Sequence, residues 1–275
     1  MQKKNKILKN FERNGYVVIK NFLKSDDKKK LKKIADDFSY RLINKWNKKI
    51  KNQNNIYKRI INHYLTFKKP EYRRNPNKNL ATKIFFQFVN SDSFKILRDV
   101  FNKKRWFFSY YKNIRFKSKV LPWVLEPWHC DRYTYKLDFY KKNFQFLIVW
   151  IPLQKMNKHC EGGLEIIKRN KFFSQKVFEN QRFIDPIKLF NCSDRIKRVE
   201  HLSVKPRLNF GDILVMSSDI VHKTIKTKSR NPFWSLDMRF EFGNVISQET
   251  KKMGFNFDQS YRKNLKIFLN SKNFN

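Results

Sequence analysis

The chain changes its hydrophobic rhythm part-way along. Residues 15–19 (GYVVI) form a short apolar run and predict a strand. Ser25, Asp26 and Asp27 then offer an N-cap followed by early acids. Leu31, Ile34, Ala35, Phe38, Leu42 and Ile43 recur at helical spacing, which predicts a helix to about residue 49. Residues 51–80 are polar and contain Pro70 and Pro76, so they read as loop with a short helix near 57–64. Residues 81–101 read as helical, with a break near Asn90, Ser91 and Asp92.

Beyond this point the pattern is that of strands. Residues 106–116 are rich in aromatics. Residues 144–151 (FQFLIVWI) are apolar at both alternating positions, as in a strand buried on two faces. Gly162 and Gly163 signal a turn before residues 164–167, while residues 171–200 are irregular. Residues 212–216 (DILVM) predict a second buried strand. Residues 233–241 alternate strictly, with Trp234, Leu236, Met238 and Phe240 on one face and Ser235, Asp237, Arg239 and Glu241 on the other. Helices followed by short, turn-punctuated strands predict a β-sandwich or barrel beneath an N-terminal helical cover. There is no internal repeat and no Pro/Gly/Ser linker in the 275 residues. One domain is expected: a cover mainly over residues 25–101, a core over about 105–243, and a helical or frayed tail over 244–275.

Composition changes this picture in one respect. The chain has 62 Lys and Arg against 23 acids, a net charge of +39, which alone would suggest a nucleic-acid partner. The lysines run from Lys3 to Lys272 without forming a block, and Asn, Ile, Phe and Lys are abundant together, as a coding bias toward A and T produces. Nucleic acid is therefore not the expected partner. A positive field that gathers an anionic small molecule remains in play. Cys130, Cys160 and Cys192 include no CxxC pair and do not read as a disulfide framework. With no signal-length or membrane-length apolar stretch, a cytoplasmic location is expected.

The candidate chemistry lies at His129, Cys130 and Asp131. On a strand, residues two apart share a face, so His129 and Asp131 can aim at one point while Cys130 points away. Two histidines and one carboxylate form the facial set of non-haem Fe(II) oxygenases, with open positions for other ligands. His222, just past the DILVM strand, is the natural third member. The His-x-Asp triplet alone is a weak signal, and the same donors suit a zinc hydrolase. His63, His159 and His201 read as ordinary core or surface residues.

The pattern around the triplet resembles the phytanoyl-CoA dioxygenase family of Fe(II)/2-oxoglutarate enzymes. Five blocks carry the resemblance in order: residues 11–23 (FERNGYVVIKNFL), 126–131 (EPWHCD), 148–153 (IVWIPL) with 161–164 (EGGL), 211–215 (GDILV) with His222, and 234–240 (WSLDMRF). The resemblance implies a mainly β fold, a double-stranded β-helix (jelly-roll) core with the N-terminal helices packed on it. It implies Fe(II) held by His129, Asp131 and His222, with 2-oxoglutarate and O2 consumed and succinate and CO2 released. Related halogenases lack the carboxylate, so Asp131 points to hydroxylation of a small molecule.

Two departures from the family pattern bear on the site. The arginine that usually clamps the far carboxylate of 2-oxoglutarate aligns with Phe233, which cannot form a bidentate ion pair. Arg239 and Arg230 are the candidate substitutes, with a structural pairing of Arg239 to Asp237 as the alternative use. Thr224 matches a hydroxyl position that helps hold the co-substrate in relatives, although a strand Thr is as good a reading. The second departure follows Leu164, where Lys168, Arg169, Asn170 and Lys171 replace the family's usual turn and could form a basic rim. Trp123, Trp128, Tyr133 and Tyr135 either line a substrate pocket or fill the barrel core. Two further readings stay open: a metal-binding relative that has lost 2-oxoglutarate use, and a basic nucleic-acid-binding protein.

Overall fold

The computed structural model describes residues 2–46, 82–101, 105–119, 128–131, 146–169, 200–229, 233–253 and 255–270. The N-terminal part is α1 (Gln2–Asn14), β1 (Tyr16–Ile19), α2 (Ser25–Trp46), α3 (Lys83–Val89) and α4 (Asp92–Phe101). Strands follow: β2 (Trp106–Lys117), β3 (His129–Cys130), β4 (Phe146–Pro152), β5 (Leu164–Ile167), β6 (Ser203–Val204), β7 (Ile213–Ser217), β8 (Val221–Thr224) and β9 (Phe233–Phe242). The chain closes with α5 (Gln248–Met253), β10 (Phe255–Asn256) and α6 (Tyr261–Asn270). The short helix expected over 57–64 and the irregular stretch over 171–199 lie outside the described residues.

The strands form two antiparallel sheets. One has the order β1-β7-β4-β9-β2-β10 and the other β3-β8-β5-β6. The alternation in β9 explains the layering. Trp234, Leu236, Met238 and Phe240 join Val149, Ile151, Val215, Phe85, Phe94 and Leu31 in a core between the larger sheet and the helices. Along the other face of the larger sheet, Ile148, Trp150, Leu214, Met216 and Phe233 meet Leu164 and Ile166 of the smaller sheet in a second core. Ser235, Asp237 and Arg239 therefore point between the sheets, where the pleat puts every second residue of β9.

Several elements were not apparent from the sequence. The helix α1 is dense in Lys, and only Ile7, Leu8 and Phe11 reach the core. At two residues, β10 is too short to show a period, and it forms by pairing with β2. The expected break in the helical cover is present: Thr82 caps α3 by accepting from the Phe85 N–H at 3.1 Å, and Asn90 ends it. The early acid Asp27 does more than favour a helix terminus. It is buried and accepts from Ser93 Oγ at 2.6 Å, tying α2 to α4.

Two buried charges make the fold pH-dependent. Asp212 accepts from the backbone N–H groups of Asn21 and Asn209, each at 2.8 Å, and from Lys20 Nζ at 3.0 Å. Burial raises its pKa, but these donors outweigh burial and hold it below the usual carboxylate value. Its stabilisation is thus present above the unfolded pKa of about 3.9 and is lost as pH falls through the lower folded value. Asp212→Ala should cost about 2–3 kcal/mol at neutral pH in a denaturant melt, with the gap to wild type closing in acid. Lys112 of β2 lies on the helix-facing side of the sheet, and burial pushes its pKa down to about 7. The unfolded chain then binds the extra proton between pH of about 7 and about 10, so wild-type stability rises with pH across that window. Lys112→Met should remove that rise, its advantage over wild type being greatest at and below neutral pH.

Candidate metal centre

The ordered pairing of the smaller sheet assembles the centre. In β3 and β8, His129 and His222 are direct cross-strand partners. Their rings sit 4.3 Å apart between centroids. Asp131 lies just past the end of β3 and is not a strand residue, yet it still shares the His129 side. Its Oδ1 lies 3.4 Å from His129 Nε2 and 3.8 Å from His222 Nε2. Donor atoms bound at about 2.1 Å to one divalent ion sit roughly 3 Å apart at right angles, so a small adjustment closes this set on an ion. All three residues are buried, and together they are the group of potential metal ligands that the described residues bring within 4.8 Å of one another.

The surroundings orient each ligand. Nδ1 of His222 lies 3.0 Å from the Ile220 carbonyl, so the proton carried there donates to that oxygen and Nε2 keeps its lone pair toward the centre. Cys130 points away as the strand parity requires, and its Sγ donates to the Ser218 carbonyl at 3.1 Å. Arg239 reaches across from β9 and donates to Asp131 Oδ2 through Nε at 2.9 Å and also through Nη2. Asp131 therefore divides its two oxygens, one toward the histidines and one toward the guanidinium. Burial works against ionising this carboxylate, but the Arg239 guanidinium beside it overcomes burial and holds the pKa well below the usual range.

The remaining candidate residues can now be located. Thr224 shares the His222 face of β8 and lines the same cavity as Asp131, His222, Arg239, Lys117 and Trp150. The alternative pairing of Arg239 with Asp237 is not what forms. The partner of Asp237 is Arg115 of β2, through Nε to Oδ2, because the neighbouring strand offers a closer cation than the same-strand residue. Arg230 lies outside the described residues, as do Trp123, Tyr133, Tyr135, Asn170, Lys171 and His63. Trp128 has its Nε1–H on Glu200 at 3.2 Å and carries Lys223 over its ring at 4.2 Å. Arg169 does not present a free charge to a rim. Its guanidinium braces the Glu12 carbonyl at 3.1 Å and Asp219 at 3.3 Å. Both His159 and His201 are exposed, as ordinary surface histidines are.

The sequence profile of the phytanoyl-CoA dioxygenase (PhyH) family matches residues 11–232. This chain belongs to the phytanoyl-CoA dioxygenase family. No curated protein is significantly similar to it in sequence. Its fold is shared with solved structures of low sequence identity. The epimerase SnoN from nogalamycin biosynthesis, in complex with Fe3+, alpha ketoglutarate and nogalamycin RO, is 10% identical with a TM-score of 0.59 over 92% of this chain and 85% of that one. For AviO1 from Streptomyces viridochromogenes Tue57 the identity is 12% and the TM-score 0.53, over 89% and 96% of the two chains. HygX from Streptomyces hygroscopicus, with nickel and 2-oxoglutarate bound, gives 11% and 0.51 over 88% of each chain. These likenesses establish the two-sheet fold of the phytanoyl-CoA dioxygenase family for this chain. Among the described residues, no helix is long and apolar enough to cross a membrane.

The pairing of Arg239 with Asp131 has a measurable consequence. Arg239→Leu leaves the far oxygen of a buried carboxylate without its donors and frees Asp131 to turn. Affinity for Fe(II), measured by competition with a chelator, should fall about 10- to 100-fold.

Proposed function

We propose that this phytanoyl-CoA dioxygenase family member is an Fe(II)- and 2-oxoglutarate-dependent oxygenase that hydroxylates a small molecule, with release of succinate and CO2. The observation that carries the reading is the division at Asp131, with Oδ1 facing two histidine Nε2 atoms and Oδ2 held by Arg239. A carboxylate used this way offers one oxygen to an ion, as the facial set of two histidines and a carboxylate requires. Family membership supports the reading, as does a fold shared with SnoN and HygX, solved with 2-oxo acid and metal.

In this reading His129, Asp131 and His222 would hold Fe(II). Iron, 2-oxoglutarate and O2 supply the oxidising chemistry that breaks an unactivated C–H bond. The chain's own residues set the conditions for it. The Ile220 carbonyl keeps the His222 ring turned with Nε2 inward. Arg239 keeps Asp131 ionised and stops it rotating. Ile148, Leu164 and Met216 line the cavity with apolar surface that excludes water. The Thr224 hydroxyl, on the same face of β8 as His222 and in the lining of the same cavity, would donate to the co-substrate. Asp131 supplies the carboxylate that related halogenases lack, which favours hydroxylation.

Anaerobic protein loaded with Fe(II) should develop a visible charge-transfer band when 2-oxoglutarate is added, and His129→Ala should abolish it. In air, a screen of small molecules should yield succinate in step with 2-oxoglutarate loss. Turnover that persists without O2, with zinc in place of iron, would sink the proposal in favour of a hydrolase.

A further inference from the structure

Phe233 stands where the family carries its carboxylate-clamping arginine, yet the site has a cation at the same level. In the β2–β9 pairing the residue directly opposite Phe233 is Lys117. Lys117 is 1% exposed and belongs to the lining of the cavity that contains Asp131, His222 and Arg239. Its Nζ donates to the Gly162 carbonyl at 2.9 Å and lies 5.5 Å from the centre of the Trp150 ring. Phe233 stacks parallel to Trp150 at 6.2 Å between centroids and fills the space beside Gly162, where any Cβ would meet it at 2.5 Å. The phenyl ring thus builds the apolar wall, and the charge comes from the strand next to it.

A second observation points to a ligand at this spot. Trp150 is 2% exposed, and its indole Nε1–H is buried with no hydrogen-bond acceptor among the described residues. A buried donor left without an acceptor is costly unless something arrives to accept from it. An anionic oxygen beside Lys117 would do so. Asp237, the cross-strand partner of Trp150 on β9, is paired with Arg115, so its charge is neutralised beside such an anion. Arg239 is already engaged by Asp131.

Resting on the 2-oxoglutarate reading above, we propose that the far carboxylate of the co-substrate is held by Lys117 Nζ together with the Trp150 indole N–H, in place of the family's arginine. Lysine offers a mobile point charge where arginine offers a fixed fork, so the indole N–H supplies the direction that the ammonium lacks.

The test is an anaerobic titration of Fe(II)-loaded protein, read from the charge-transfer band and not from turnover. Two ligands are compared: 2-oxoglutarate, and 2-oxopentanoate, which lacks the far carboxylate. Wild type should prefer 2-oxoglutarate strongly. Lys117→Met should weaken 2-oxoglutarate about 30-fold or more while leaving 2-oxopentanoate unchanged. Trp150→Phe, which keeps the ring and removes the N–H, should weaken 2-oxoglutarate several-fold and spare 2-oxopentanoate. Lys117→Arg should retain part of the preference. If Lys117→Met does not fold, Lys117→Gln takes its place with the same expectations. Unchanged 2-oxoglutarate affinity in a folded Lys117 variant overturns the assignment even when the band forms normally. Absence of a band in wild type overturns the co-substrate reading itself, a different failure visible before any variant is made.

Discussion

The structure is organised around one buried carboxylate. Asp131 is 3% exposed, and an ionised carboxylate in that environment persists only if cations and donors surround it. Arg239 supplies them from the larger sheet, while His129 and His222 face it from the smaller one. The demand at Asp131 therefore couples the two sheets through a polar contact beside the apolar cluster. It also explains why a strand with so clean an alternation as β9 turns its polar face inward, whereas a strand over a simple core would turn it to solvent. Asp237 and Arg115 form a further pair one step along, both on the larger sheet, so the space between the sheets is lined by paired charges beside the apolar cluster.

Much of the fold could be read from the chain because the larger strands and the helical cover obey simple periods. The buried runs at β4 and β7, the alternation in β9 and the Asn90–Ser91 break between α3 and α4 all appear where the pattern put them. Elements whose stability comes from partners were hidden. For α1, three apolar side chains in a lysine-rich stretch pack onto the core, and nothing local announces a start or a stop. The two-residue strands β6 and β10 exist by pairing alone.

The same division runs through the site. His129 and Asp131 could be paired from strand spacing, and His222 from its place after a buried strand. The roles of the basic residues could not. Whether Arg239 meets Asp237 or Asp131 depends on which strands lie adjacent and in what register, which one strand's pattern does not contain. Lys117 is harder still. It is one of 62 Lys and Arg, and only the pairing of β2 with β9 sets it opposite Phe233. A composition rich in lysine conceals the lysine that matters.

The separations along the chain have a consequence for synthesis. Asp131 and Arg239 are 108 positions apart, and the β3–β8 pair joins residues as distant as His129 and His222. A nascent chain that has just emerged past Asp131 has two of the three donors and neither the third nor the guanidinium that steadies them. Donors that meet only through such long-range pairing come together late, after the loops between them have closed. An ion captured by the finished triad binds the native state and not its precursors, and so draws the equilibrium toward the completed fold. Metal loading would then act as a checkpoint on topology: a chain truncated before β9, or one whose two sheets had failed to close, would leave the ion in solution.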